Sequence, residues 1–190
     1  YVSSGSTANT ALAYYIKDNL VTSKKNTIVL PSTTWITSVS PFLREGLNPA
    51  FIDVSLSNLS MDLDKLESFL EQKSDEVACV FVTSLLGMSP DVKRIRGLQS
   101  KYKVRFMLDN CENTFSTYKS KNISSYFTST TSTYFGHQIQ SVEGGFIFTN
   151  SDKEKDYFLM CRNHGMTRSL PKPQKYQNKL VDPKFDFNLL

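Results

Sequence analysis

The stretch Val77-Ala78-Cys79-Val80-Phe81-Val82-Thr83, followed after Ser89-Pro90 by a helical pattern and then by Val104-Arg105-Phe106-Met107-Leu108-Asp109, decides the fold. Val77 to Thr83 carries no charge and is rich in β-branched residues, so it reads as a strand. Ser89-Pro90 is expected to open a helix with proline at its first position, and Val92, Ile95, Leu98 and Tyr102 fall on one face of it. Val104 to Leu108 is a second strand, ending at Asp109. A strand, a helix and a strand at this spacing imply parallel pairing with a crossover.

The same alternation continues outward. Upstream, Asp62 is placed to cap a helix whose apolar stripe is Leu63, Leu66, Phe69 and Leu70. Before it come a strand over Ala50-Phe51-Ile52-Asp53-Val54, punctuated by Gly46 and Asn48-Pro49, a Trp35–Leu43 segment interrupted by Pro41, and a short buried strand Thr27–Pro31. The first helix follows Ser3-Ser4-Gly5-Ser6, with Ala8, Ala11, Leu12, Tyr15, Ile16 and Leu20 at spacings of three and four. Downstream of Asp109 the chain is polar and Ser/Thr-rich to Thr133, after which Gly144-Gly145 precedes an apolar strand, Phe146–Thr149. Ser151 and Glu154 have capping-box spacing for a last helix stopping near Gly165. The reading is an α/β domain over 1–165, a mostly parallel sheet with helices on both faces. Residues 166–190, with Pro171, Pro173 and Pro183, form a connecting segment without a clear period.

The 190 residues are 39% hydrophobic and 21% charged, which supports a packed core and excludes a disordered or fibrous chain. The chain starts at Tyr1, so an N-terminally truncated piece of a longer protein is expected. The longest apolar run, Val77–Val82, is far below the roughly 20 residues of a membrane span, and no basic-then-apolar leader opens the sequence. Net charge is +4, and residues 151–190 hold 8 basic against 5 acidic residues. The excess, in Arg168, Lys172, Lys175, Lys179 and Lys184, lacks the aromatic platform and dense basic patch of a nucleic-acid module. A solvated loop or attraction of an anionic ligand both fit it. Cys79, Cys111 and Cys161 form no CxxC pair and no metal-ligand spacing, and they read as reduced thiols of a cytoplasmic protein with no metal site.

Candidate functional residues cluster where the expected strands end. Gly5-Ser6-Thr7 at a helix start offers free N–H groups and the positive end of the helix dipole, which suit a phosphate as well as an ordinary cap. Asp109 fits a fixed anion beside a cationic ring nitrogen, or a side chain capping the next turn. Trp35, the only tryptophan, fits a stacking surface or a core filler. His137 fits a base or a polar turn residue, and His164 a polar residue near a helix end.

The order of short motifs adds to this. Ser4-Gly5-Ser6-Thr7-Ala8, Pro31-Ser32-Thr33-Thr34-Trp35, Pro49 to Val54, Asp109-Asn110-Cys111-Glu112, Tyr134-Phe135-Gly136-His137 before Glu143-Gly144-Gly145, and Arg162-Asn163-His164-Gly165 occur in turn. This order resembles the DegT/DnrJ/StrS family of pyridoxal-phosphate sugar aminotransferases and sugar dehydratases, over roughly residues 1–165. The resemblance implies the large domain of the type I, aspartate-aminotransferase-like fold and the cofactor pyridoxal 5′-phosphate or pyridoxamine 5′-phosphate. It also implies an active site between the subunits of a homodimer.

Carried over by position, the resemblance implies that Gly5, Ser6, Thr7 and Ser132 hold the phosphate, Trp35 stacks on the ring and Asp109 pairs with its nitrogen. Glu112 would sit near the ring hydroxyl, and Asn188 would reach the phosphate of the neighbouring subunit. His137 stands where the family's aminotransferases have the lysine that binds the cofactor covalently. Histidine there, before Glu-Gly-Gly, looks like the family's sugar 3-dehydratases. These act on nucleotide-linked 4-keto-6-deoxyhexoses, with glutamate as amino donor in the subtype that lacks an iron–sulfur cluster. An aminotransferase of the same family, or a non-catalytic α/β binding module, is the alternative reading. Phe115 and Ser120 replace the family's usual glycines after the Asp109 motif, so a different local turn is expected.

Overall fold

The computed structural model describes residues 1–167 and 170–172. Two compact units divide them, Tyr1–Phe148 and the residues from Thr149 onward.

In the first unit, helix α1 (Gly5–Asn19) leads to strand β1 (Thr27–Pro31), a single 3₁₀ turn at Ile36–Ser38, the short helix α2 (Ser40–Arg44) and strand β2 (Asn48–Ile52). Helix α3 (Leu63–Lys73), strand β3 (Val77–Thr83), helix α4 (Val92–Tyr102) and strand β4 (Arg105–Asp109) follow. The small hairpin β5 (Thr117–Tyr118) and β6 (Lys121–Asn122) precedes strands β7 (Thr128–Ser132) and β8 (Gly145–Phe148). The main sheet runs β2-β1-β3-β4-β7-β8, parallel throughout except for β8, which is antiparallel to β7.

Alternation along the central strands sorts the helices onto the two faces. Val80 and Val82 of β3 and Phe106 and Leu108 of β4 join Leu66 and Leu70 of α3 and Ile95 and Leu98 of α4 in one cluster of buried side chains. Phe81, pointing the opposite way, meets Phe42 of α2 edge-on at 5.0 Å. Ile28, Leu30 and Met107 are likewise buried, as are Leu12 and Ile16 of α1, whose helix packs on β7 and β8. The expected mostly parallel α/β sheet, covered by helices on both sides, is what forms.

Local differences have physical causes. Helix α4 starts at Val92 rather than Pro90, because the Asp91 carboxylate accepts the Arg94 N–H at 2.9 Å and acts as the cap. Strand β2 begins at Asn48, two residues early; it is an edge strand, where Pro49 costs no ladder hydrogen bond. Strand β7, Thr-Ser-Thr-Thr-Ser, lies inside the stretch read only as polar, and all five residues are buried. Its pairing with β4 and β8 satisfies the backbone, and Thr130 and Thr131 donate from their hydroxyls to buried partners. No helix among the described residues is long and apolar enough to cross a membrane.

In the second unit, helix α5 (Asp152–Arg162) has Ser151 as its cap, accepting the Glu154 N–H, and Thr149 Oγ1 donates to the Glu154 carboxylate at 2.6 Å. Past its end His164 and Gly165 take left-handed φ values of +57° and +78°, and the Gly165 N–H returns to Met160 O at 2.9 Å.

Candidate active site

The register of the sheet brings one end of three strands together. Thr83 pairs with Asp109, and Asp109 with Thr130, so the carboxyl ends of β3, β4 and β7 lie side by side. A cleft of about 500 Å³ opens above them, and among its lining residues are Gly5, Ser6, Trp35, Asp109, Glu112, Ser132 and His137.

Asp109 forms the floor. It is 5% exposed, and both oxygens accept hydrogen bonds: Oδ2 from Asn9 Nδ2 at 2.9 Å and from the Ser38 hydroxyl at 2.5 Å, Oδ1 from the Cys111 N–H at 3.1 Å. These three donors are neutral. A buried carboxylate held by neutral groups at the edge of a cleft is an oriented negative charge for a cationic ligand group. Asn9 is itself fixed, because its Oδ1 accepts from Thr130 at 2.7 Å and its Nδ2 also donates to Thr37 O at 3.2 Å.

The N-terminus of α1 forms one wall. Ser4 caps it by accepting the Thr7 N–H at 3.1 Å, and the N–H groups of Gly5 and Ser6 have no carbonyl one turn earlier to bond. A Cβ on Gly5 would lie 2.7 Å from Ser132 Cβ and 3.2 Å from Cys111 Sγ, so only glycine lets the helix end meet β7 here. A Cβ on Gly145 would strike the Ser4 carbonyl, which explains the glycine where the Val2 bridge crosses β8. Thr7 is placed differently from its expected role. It is exposed, does not line the cleft, and its hydroxyl is bonded to those of Ser3 and Ser4 at 2.9 Å.

Trp35 is 67% exposed at the rim, which removes the core-filler reading. His137 is half-buried in a turn after β7: its N–H donates to Tyr134 O at 2.9 Å, and its ring meets the Tyr134 ring edge-on at 5.6 Å. Its Nδ1 is buried without a protein partner. Glu112 accepts the Leu86 N–H at 2.6 Å. Asn188 and the basic residues Arg168, Lys175, Lys179 and Lys184 lie outside the described residues, and Lys172 is exposed.

Asn9 and Cys111 were missed as site residues. An asparagine on the otherwise apolar Ala8–Ile16 face was the available signal for the first. Burial, reinforced by the Asp109 charge, pushes the Cys111 thiol far above its ordinary range, so it stays protonated in the floor of the cleft. Lys119 and Ser120 have φ of +49° and +60° at the tip of the β5–β6 hairpin.

The parallel sheet, with its cleft at the carboxyl ends of the strands and a helix N-terminus facing a buried carboxylate, has the aspartate-aminotransferase-like, type I architecture. The DegT/DnrJ/EryC1/StrS aminotransferase family model matches residues 1–189, and the chain belongs to that family. It is 33% identical over 187 residues to the GDP-4-keto-6-deoxy-D-mannose 3-dehydratase of Yersinia pseudotuberculosis, covering 96% of this chain and 47% of the relative. A crystal structure of a His-to-Asn mutant of GDP-4-keto-6-deoxymannose-3-dehydratase with bound GDP-perosamine matches with a TM-score of 0.80 at 29% identity, over 90% of this chain and 44% of that one. Another structure of that enzyme, with a trapped PLP-glutamate geminal diamine, matches at 0.78 and 28% identity, over the same shares of the two chains. The chain thus spans about half the length of the curated relatives it matches.

Proposed function

We propose that the full-length protein binds pyridoxal or pyridoxamine 5′-phosphate in this cleft and removes the C3 hydroxyl of a nucleotide-linked 4-keto-6-deoxy sugar, in deoxysugar and polysaccharide biosynthesis. The observation that carries the reading is His137: among the described residues, the cleft is lined by an imidazole and by no lysine. Glutamate as amino donor, and a GDP-linked sugar as the first substrate to test, are favoured by the names of the relatives. We also propose a cytoplasmic homodimer. The exposed Trp35, Phe135 and Val142 at and near the cleft offer apolar surface for a second subunit.

The residues present suit the cofactor. The free N–H groups of Gly5 and Ser6, at the positive end of the 15-residue α1, and the Ser132 hydroxyl would hold the phosphate. Glycine at position 5 leaves the space a Cβ would fill. Trp35 would cover the ring, and Asp109 would keep its nitrogen protonated. Bound in its aminated form, the cofactor supplies an amine that condenses with the C4 ketone and a ring that accepts electrons. His137 would act as the base that moves a proton at the cofactor's C4′ carbon, which prepares departure of the C3 hydroxyl. Imidazole does this without forming the covalent link a lysine makes, so the cofactor stays exchangeable.

The test is the absorption spectrum of the full-length protein with pyridoxal phosphate, before and after glutamate, followed by borohydride and mass analysis. Specific binding, conversion to the aminated form and no covalent adduct are expected. An adduct on a lysine would favour transamination instead.

A further inference from the structure

The turn between β3 and α4 forms part of the cleft and is held in an unusual way. Leu85 lines the cleft beside Glu112 and Ser84, and the turn is closed by the Met88 N–H donating to Leu85 O at 2.8 Å. Its two central residues, Leu86 and Gly87, have φ of +50° and +78°. Glycine adopts this conformation freely, but leucine resists it because Cβ crowds the backbone carbonyl. Packing does not hold Leu86 there, since its side chain is 75% exposed. What does reach it is the half-buried Glu112, whose Oε2 accepts the Leu86 N–H at 2.6 Å.

We infer that Glu112 is a positioning residue that latches the Leu85–Met88 turn through the Leu86 N–H, fixing Leu85 as a wall of the space the substrate must enter. The effect on substrate rests on the function proposed above; the latch itself does not. The bond joins the residue three past Asp109 to a turn whose strand, β3, pairs with β4, so one carboxylate ties the cofactor side of the cleft to its rim. Glutamine at position 112 keeps an acceptor oxygen at the same reach, and alanine removes it.

Amide hydrogen exchange of the full-length protein without cofactor reads the latch directly. The peptide containing Leu85–Met88 is expected to exchange at least tenfold faster in Glu112→Ala than in wild type, with protection largely recovered in Glu112→Gln. With a GDP-linked 4-keto-6-deoxy sugar, Glu112→Ala should raise KM about tenfold, and Glu112→Gln should largely restore it. Unchanged exchange in Glu112→Ala, or no recovery of protection in Glu112→Gln, would overturn the latch. A folded wild-type protein that turns over no keto sugar would instead overturn the functional reading, and the exchange result would still decide the latch.

Discussion

Asn9 and Asp109 are a hundred residues apart in the chain and are joined by a buried 2.9 Å hydrogen bond. That bond connects the first helix to the end of a central strand and aims the carboxylate at the cleft. Its other end is anchored too, since Asn9 Oδ1 accepts from Thr130. Asn9→Ala strips a donor from a buried charge and an acceptor from a buried hydroxyl. The expected loss is about 2–4 kcal/mol in denaturant unfolding of the full-length protein. Cofactor binding should weaken in parallel. A loss below about 1 kcal/mol would mean that Asp109 is held mainly by Ser38 and the Cys111 N–H.

Two glycines on helices should respond with opposite signs. Gly5→Ala places a Cβ 2.7 Å from Ser132 Cβ, and overpacking of this kind costs about 1–3 kcal/mol. Gly97 lies in α4 with open space around an added Cβ and no left-handed φ. Gly97→Ala should therefore stabilise by about 0.5–1 kcal/mol. Thermal melts of the two variants against wild type would check the pair.

Much of the fold is legible in the sequence because it rests on local physics. The caps at Ser4, Asp62 and Ser151 and the continuous run Val77–Thr83 all sit where side-chain chemistry puts them. Strand β7 is not legible. A strand of threonine and serine has no apolar alternation, and it is buried because distant groups, Asn9, Asn110 and Thr114 among them, bond its hydroxyls. The exposure of Trp35 and the outward turn of Thr7 were likewise invisible, since both depend on how the ends of distant segments meet. Asp109, Ser132 and His137 are read from motif order; the register sets Asp109 beside β7, which ends at Ser132, and all three line the cleft.

The β5–β6 hairpin turns through Lys119 and Ser120, both with positive φ, the geometry of a type I′ turn that favours Asn-Gly. Replacing the pair by Lys119→Asn and Ser120→Gly is expected to raise stability by about 1–2 kcal/mol by relieving two left-handed side chains. An unchanged or lowered denaturation midpoint would indicate that these side chains form contacts that offset the strain.

Cys111 gives a pH signature. Its thiol pKa is raised in the folded state by burial and then by Asp109, so the folded protein keeps a proton that the unfolded chain releases. Its stabilising contribution is full below the ordinary thiol range and declines as pH rises above about 8.5. Stability measured from pH 7 to 10 should fall less steeply in Cys111→Ser than in wild type. The same thiol should be alkylated by iodoacetamide at neutral pH at least about tenfold more slowly than a free thiol.

The most direct test of the central claim is product analysis. Full-length protein, pyridoxal phosphate, excess glutamate and a GDP-linked 4-keto-6-deoxy sugar would be incubated together and the nucleotide sugar examined by mass spectrometry and NMR. A 3-deoxy-4-keto product is expected from wild type and none from His137→Ala, with cofactor absorbance retained in the variant. An amino sugar as the lasting product, or undiminished turnover by His137→Ala, would contradict it.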